Sequence, residues 1–394
     1  MKLSKSLFLA FAGLGLFACS NEEVIDNNGG KIDGPADVVV KLNLPNMTSG
    51  SRSDFTSETT VTPNYVKITV FDGTGKQIGI KEGVYSTLDD EGADNQFTFQ
   101  SINNPAKVVV EINTKTGSEG QWTSVNTGTF EELNAIAVAN TPMNGETQDI
   151  SISESGTQYT CTVNMEHTMA RLEFGGIKHE EHSGSDKCMF SDGDLSGILL
   201  NHVQLTSEGG VEDYDENEID GFFKASEPVT SPWDKITGTD FFSNSTAVYP
   251  SSGCYAYNIY PAAGTENLPV LTLYFSGIAT NPDYVDASGN KVSFIGDNGF
   301  ASVSKYKIAV AKVNGEDQKQ LRKDLFGTED PTAISGDNSY YQVVNFPAGY
   351  IYQVKNLSVV DEAIKTNPTG TGDELVATIE VTPWTIVEGS VDWK

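Results

Sequence analysis

Positive charge is scarce in this chain: 25 Lys and Arg stand against 54 Asp and Glu, a formal net charge of −29. Nucleic-acid binding needs a basic face for phosphates, so that function class is excluded, and an acidic membrane surface would repel the chain. Residues 1–52 hold five basic groups (Lys2, Lys5, Lys31, Lys41, Arg52) and five acids (Glu22, Glu23, Asp26, Asp33, Asp37), so the acidity belongs to the body that follows. It serves solubility and self-repulsion at a crowded surface. Arginine is rarer still, at Arg52, Arg171 and Arg322 alone.

Histidine is also sparse, with four in 394 residues, few for an enzyme of this length. His179 and His182 lie in HEEH, which is not the His-Glu-x-x-His zinc pattern, and a solvated loop is the expectation there. Asp213, Asp215 and Asn217 follow the first spacings of a calcium loop, but Glu218 stands where that loop needs glycine and no closing glutamate follows. There is no Gly-x-Ser-x-Gly elbow, no Gly-x-x-x-x-Gly-Lys phosphate loop, and no carboxylate pair assignable to glycoside hydrolysis. Tyrosines and Trp233 suit a glycan-binding face no better than they suit sheet packing. The expectation is a protein that is not an enzyme, with no catalytic residue, no metal and no cofactor.

Long apolar runs are absent except for one near the start. Lys2 and Lys5 precede an apolar stretch over 7–18, too short to span a bilayer and proportioned as a signal peptide. It ends Leu16, Phe17, Ala18, Cys19, which resembles a bacterial lipobox and makes Cys19 the residue to be lipidated. Ser20, Asn21, Glu22 and Glu23 resemble the acidic tag of surface-exposed Bacteroidetes lipoproteins. Export leaves Cys161, Cys188 and Cys254 as an odd number in an oxidising compartment: either one pair bridges or all three are thiols.

What the chain does have is glycine, 38 residues of it, and short alternating apolar segments, the marks of an all-β protein of about two domains. Residues 20–35 are a polar tether. Val38, Val40, Leu42 and Leu44 then alternate with Val39, Lys41 and Asn43 as in a half-buried strand. A loose Thr, Ser and Gly segment follows and contains Arg52, an accessible target for a trypsin-like protease. Further strands are predicted over 65–71, 96–100, 106–113, 159–165, 170–174, 198–205, 255–260, 270–275, 306–313, 340–346 and 351–359. One helix is predicted over 130–139, with Thr129 and Glu132 as a capping box. Residues 178–240 are the least regular. At the end, Leu375, Ala377, Ile379 and Val381 alternate, Pro383 interrupts, and Val387, Gly389, Val391 and Trp393 alternate again. A terminal strand this apolar needs a partner, inside its own domain or outside it.

In order along the chain, these pieces resemble the fimbrillin family, the subunits of type V pili of Bacteroidetes. The resemblance spans essentially all of the sequence. It rests on the lipobox at Cys19, the strand from Val38 to Leu44 followed by Arg52, YVKITVFDGTGKQI (65–78) and TPMNG (141–145). MEHTMARLEF (165–174), FPAGYIYQVKNLSV (346–359) and the closing VTPWTIVEGSVDWK complete it. It implies a lipoprotein signal over 1–19, a tether and removable first strand over 20–52, and two transthyretin-like β-sandwich domains over 53–157 and 158–394, with short helical insertions. It further implies that an arginine-specific protease cuts after Arg52, and that a neighbouring subunit's C-terminal strand, here Val387, Gly389, Val391 and Trp393, fills the groove left by Val38, Val40, Leu42 and Leu44. The implied partners are other pilin subunits in a head-to-tail polymer, that protease, and the lipoprotein export machinery and outer membrane through the Cys19 lipid, with room for a host or bacterial surface receptor. The implied location is the outer membrane, then a cell-surface fimbrium. A stalk subunit is the first expectation; a fimbrial tip adhesin and a monomeric surface glycan-binding lipoprotein are the alternatives.

Overall fold

The computed structural model describes residues 31–386, except 45–59, 62, 89–94, 119–120, 126–129, 137–139, 181–187, 207–210, 216–217, 220–221, 223–232, 237–239, 243–246, 249–253, 262–263, 287, 292–293, 295, 368–374 and 384. The expectations for Cys19, Arg52, His182, Asn217, Val387, Gly389, Val391 and Trp393 therefore fall outside the described residues. The protein is all-β with short helical insertions.

Among the described residues four larger sheets carry the fold, in two pairs, beside three two-stranded ones. The first pair draws its strands from residues 36–167. One sheet has the order Ser151–Ile152, Gln158–Asn164, Ala36–Asn43, Gln96–Ile102; the other runs Glu166–His167, Met143–Thr147, Pro105–Ile112, Tyr65–Asp72, Gln77–Val84. Period-two alternation sends Val66, Ile68 and Val70 of one sheet and Phe97, Phe99 and Tyr159 of the other into the core between them. Gly145 marks how closely the sheets approach. A Cβ there would stand 2.5 Å from Asn164 O and 2.8 Å from Val163 Cγ1, so only glycine fits.

The second pair is larger. One sheet has the order Tyr255–Ile259, Ala170–His179, Tyr350–Val359, Glu380–Pro383. The other runs Trp233–Lys235, Phe190–Asn201, Val270–Thr280, Asn298–Ala309, Asp337–Gln342, Ala333–Ile334, and Leu375–Thr378 joins Asn298–Ala309 in parallel.

A common scheme links the two pairs. In each, the first strand of the half lies in the interior of a four-stranded sheet, antiparallel to one neighbour and parallel to a late strand. Ala36–Asn43 is antiparallel to Gln96–Ile102 and parallel to Gln158–Asn164. Ala170–His179 is antiparallel to Tyr255–Ile259 and parallel to Tyr350–Val359.

Several sequence expectations change in detail. The strand Gln158–Asn164, expected to open the second half, pairs instead with Ala36–Asn43 in the first. The helix expected over 130–139 is described as Phe130–Asn134, with Ile136 N bonded back to Leu133 O. Asn258 Nδ2 donates to Leu133 O and Ile136 O, so a side chain from the second half takes up carbonyls at the end of this helix. Tyr306 does lie in a strand, but Val310–Val313 is a helical turn closed by Asn314 N on Val310 O. Lys319–Phe326 is a helix not expected from the sequence, ended by Gly327 in the left-handed region at φ 69°. The single strand expected over 375–381 is two: Leu375–Thr378 pairs in one sheet and Glu380–Pro383 in the facing one, with Ile379 buried at the crossing.

Candidate functional site

The most informative feature of the first half is the place of its first strand. Ala36–Asn43 precedes every other described strand, yet it lies in the interior of its sheet with a ladder on each side. Its parallel register runs from Asp37 opposite Gln158 to Asn43 opposite Asn164. Its antiparallel register sets Val38 opposite Phe99 and Val40 opposite Phe97, with a bulge between Ala36 and Val38. Leu42 N donates to Asn95 O at 2.9 Å, and Asn43 O accepts from Met165 N at 2.9 Å. Side chains fix the ends: Asp37 Oδ1 accepts from Ser101 N, and Asn43 Nδ2 donates to Asn164 Oδ1 at 2.8 Å.

Val38, Val40, Leu42 and Leu44 are all buried, while Lys41 and Asn43 face solvent. Burying each of those four large apolar side chains is worth about 1.5–3 kcal/mol. Without this strand, two ladders of backbone groups would be left unpaired above an open apolar floor. The strands on either side of that gap carry buried Phe97, Phe99 and Ile102 on one side and Tyr159, Cys161 and Val163 on the other. Alternation marks both flanking strands in the sequence, but nothing local says that they flank residues 36–43. Burial pushes the Cys161 thiol up to about 11, as expected of a thiol in this core.

The opposite end of the described chain returns to the segment that follows the first strand. Thr385–Ile386 pairs in parallel with Thr60–Val61, so the residues before the expected donor segment lie beside the residues after the expected cleavage site.

The other sequence candidates resolve differently. Cys161, Cys188 and Cys254 are all thiols, with Cys161 and Cys254 buried. His179 is buried and paired with Asp361, not placed in a solvated loop. Asp213 Oδ1 bonds His202 Nδ1 at 2.6 Å. Asp215 and Glu218 cap one another, side chain to backbone N–H, which gives both a local structural role. Trp233 pairs through its backbone with Leu199 at a sheet edge.

No protein-family model and no curated protein matches the chain. Among solved structures it is similar to a candidate cell adhesion protein from Bacteroides eggerthii DSM 20697, at 13% identity and TM-score 0.44, covering 90% of this chain and 98% of that one. It is similar to a fimbrilin (FimA) from Porphyromonas gingivalis W83, at 14% identity and TM-score 0.42, over 91% of this chain and 99% of that one. A third is the tip fimbrial protein Mfa3 from Porphyromonas gingivalis with C-terminal truncation, at 10% identity and TM-score 0.36, over 88% and 100%. These three solved structures are fimbrial or cell-adhesion proteins by their descriptions.

Proposed function

We propose that this chain is the precursor of a fimbrial subunit whose first strand is a placeholder for a strand from another subunit. The observation that carries the reading is the interior position of Ala36–Asn43 at the beginning of the described chain. Its counterpart Ala170–His179 occupies the same position in the second half but is continuous with strands before and after it. A cut after Arg52 would detach the first strand alone and leave every later strand covalently intact.

In this reading the precursor leaves the cell as a lipoprotein carried on Cys19 and resides at the outer membrane. Val38, Val40, Leu42 and Leu44 keep the groove closed until an arginine-specific protease cuts at Arg52. A strand containing Val387, Gly389, Val391 and Trp393 from a neighbour then restores both ladders by strand addition. Trp393 is the largest anchor and Gly389 the smallest. Donor and groove are different surfaces, so the contact is head to tail and a filament follows. The two pairs of sheets serve as two sandwich domains in that filament. Adhesion to a host or bacterial receptor would be a property of the assembled fimbrium.

The test uses full-length protein, the Arg52→Ala variant and a chain lacking residues 387–394, each treated with an arginine-specific protease. Polymer ladders from the wild type alone are expected. Ladders from the truncated chain would refute the donor assignment.

A further inference from the structure

The second half holds a cluster of chemistry that the fimbrial reading does not use. His179 ends the strand Ala170–His179, Cys188 precedes the strand Phe190–Asn201, and Asp361 begins the short turn Asp361–Ala363 after Tyr350–Val359. The fold brings the three together from positions up to 182 residues apart. His179 Nε2 lies 2.8 Å from Asp361 Oδ1, and one donor atom from each of His179, Cys188 and Asp361 falls within 4.8 Å of the others. His179 and Asp361 are almost completely enclosed, with side chains 1% and 0% exposed. Phe241 and Phe242 pack against the imidazole, at 6.0 and 5.2 Å between ring centroids. Asp361 Oδ2 is already held by Met189 N–H, the backbone group next to Cys188. His179 Nδ1 is buried with no hydrogen-bond partner among the described residues.

We propose that His179, Cys188 and Asp361 form a zinc site. An imidazole, a thiolate and a carboxylate are the donor types that zinc takes, and three protein ligands leave a fourth position for water. Around a tetrahedral zinc, with bonds of about 2.0 Å to nitrogen or oxygen and about 2.3 Å to sulfur, neighbouring ligand atoms stand about 3.3–3.6 Å apart. The ion fits after the His179–Asp361 pair opens by about 0.5 Å and Cys188 moves inward by about 1 Å, shifts within reach of side-chain rotation. Met189 N–H orients Asp361 from behind, the role that outer partners play at metal sites. On binding, the Cys188 thiol gives up its proton to solvent and its sulfur bonds the ion. The imidazole proton moves from Nε2 to Nδ1, which frees Nε2 as a ligand. One proton is therefore released per ion, and affinity rises with pH.

The site would tie together three elements at one end of the second pair of sheets. It also explains why a histidine, an aspartate and a cysteine are gathered there among phenylalanines. The bland alternative is a buried His179–Asp361 hydrogen bond beside an uninvolved thiol.

The experiment titrates full-length, reduced, chelator-stripped protein with zinc by calorimetry, and in parallel with cobalt(II) as an absorbing substitute. Wild type is expected to bind one equivalent and to give tetrahedral cobalt bands with a thiolate-to-cobalt charge-transfer band. Cys188→Ser is the main control, because that side chain is only half-buried. It should abolish the charge-transfer band, weaken zinc at least about tenfold, and remove any rise in melting temperature with zinc. Asp361→Asn, which keeps an acceptor for Met189 N–H, should weaken zinc while leaving the apo circular dichroism unchanged. No thiolate band in the wild type, or a band and affinity that survive Cys188→Ser, would overturn the proposal, whether or not the buried variants fold.

Discussion

Val40 stands opposite Cys161 in a parallel ladder, and both side chains belong to the core of the first half. The thiol is thereby a reporter on the strand beside it. In the uncut precursor, Cys161 should resist a thiol reagent at neutral pH. After cleavage at Arg52 and loss of the strand, it should label readily until a donor strand arrives. Peptide mass spectrometry on timed samples reads this directly, and equal labelling before and after cleavage would show that the strand does not leave.

The same thiol predicts a pH dependence. Burial raises Cys161 from 9.0 to about 11, so the folded state favours its protonated form. The stabilising contribution is complete below the unfolded value and is lost as pH rises through the folded one. Denaturant midpoints of the precursor should therefore fall between pH 9 and 11, and Cys161→Ala should flatten that part of the decline.

Leu42→Ala should destabilise the precursor by about 2–5 kcal/mol, as for other buried leucines truncated to alanine. If the strand is shed on assembly, as the placeholder account holds, fibres should be as resistant to denaturant as wild type, because they would lack Leu42. Urea unfolding of each form checks both halves of the statement.

Gly145→Ala should lower stability by about 1–3 kcal/mol, since its methyl group would press on Asn164 O, Val163 and Met165 Sδ. The effect should persist in the fibre, where these residues remain, and the same urea series measures it.

Asn258→Ala should leave Leu133 O and Ile136 O without their side-chain donor, at about 1–3 kcal/mol. Hydrogen exchange should speed up across residues 130–136 while the interior strands of both halves stay protected.

Alternation at Val38, Val40, Leu42 and Leu44, and again at Val66, Ile68 and Val70, was legible because a half-buried strand writes its period into adjacent residues. Pairing was not. That Gln158 lies beside Asp37, or Ile351 beside Arg171, depends on contacts far apart in the chain. The helix Lys319–Phe326 carries a readable signal, Arg322, Leu325 and Phe326 buried on one face before Gly327. Ile379 illustrates the limit on the other side. One unbroken alternation from Leu375 to Val381 serves two facing sheets, because a strand that crosses between them keeps its inward side chains on the same period. His179 shows the same limit: His182 is its neighbour in sequence, whereas its partner in space is Asp361.

The most direct test of the placeholder account is the composition of fibres grown from full-length protein cut with an arginine-specific protease. Electron microscopy should show filaments after cleavage and none from Arg52→Ala, and mass spectrometry of washed filaments should find no peptide from Ala36–Asn43. Filaments whose subunits still contain that strand would contradict the account.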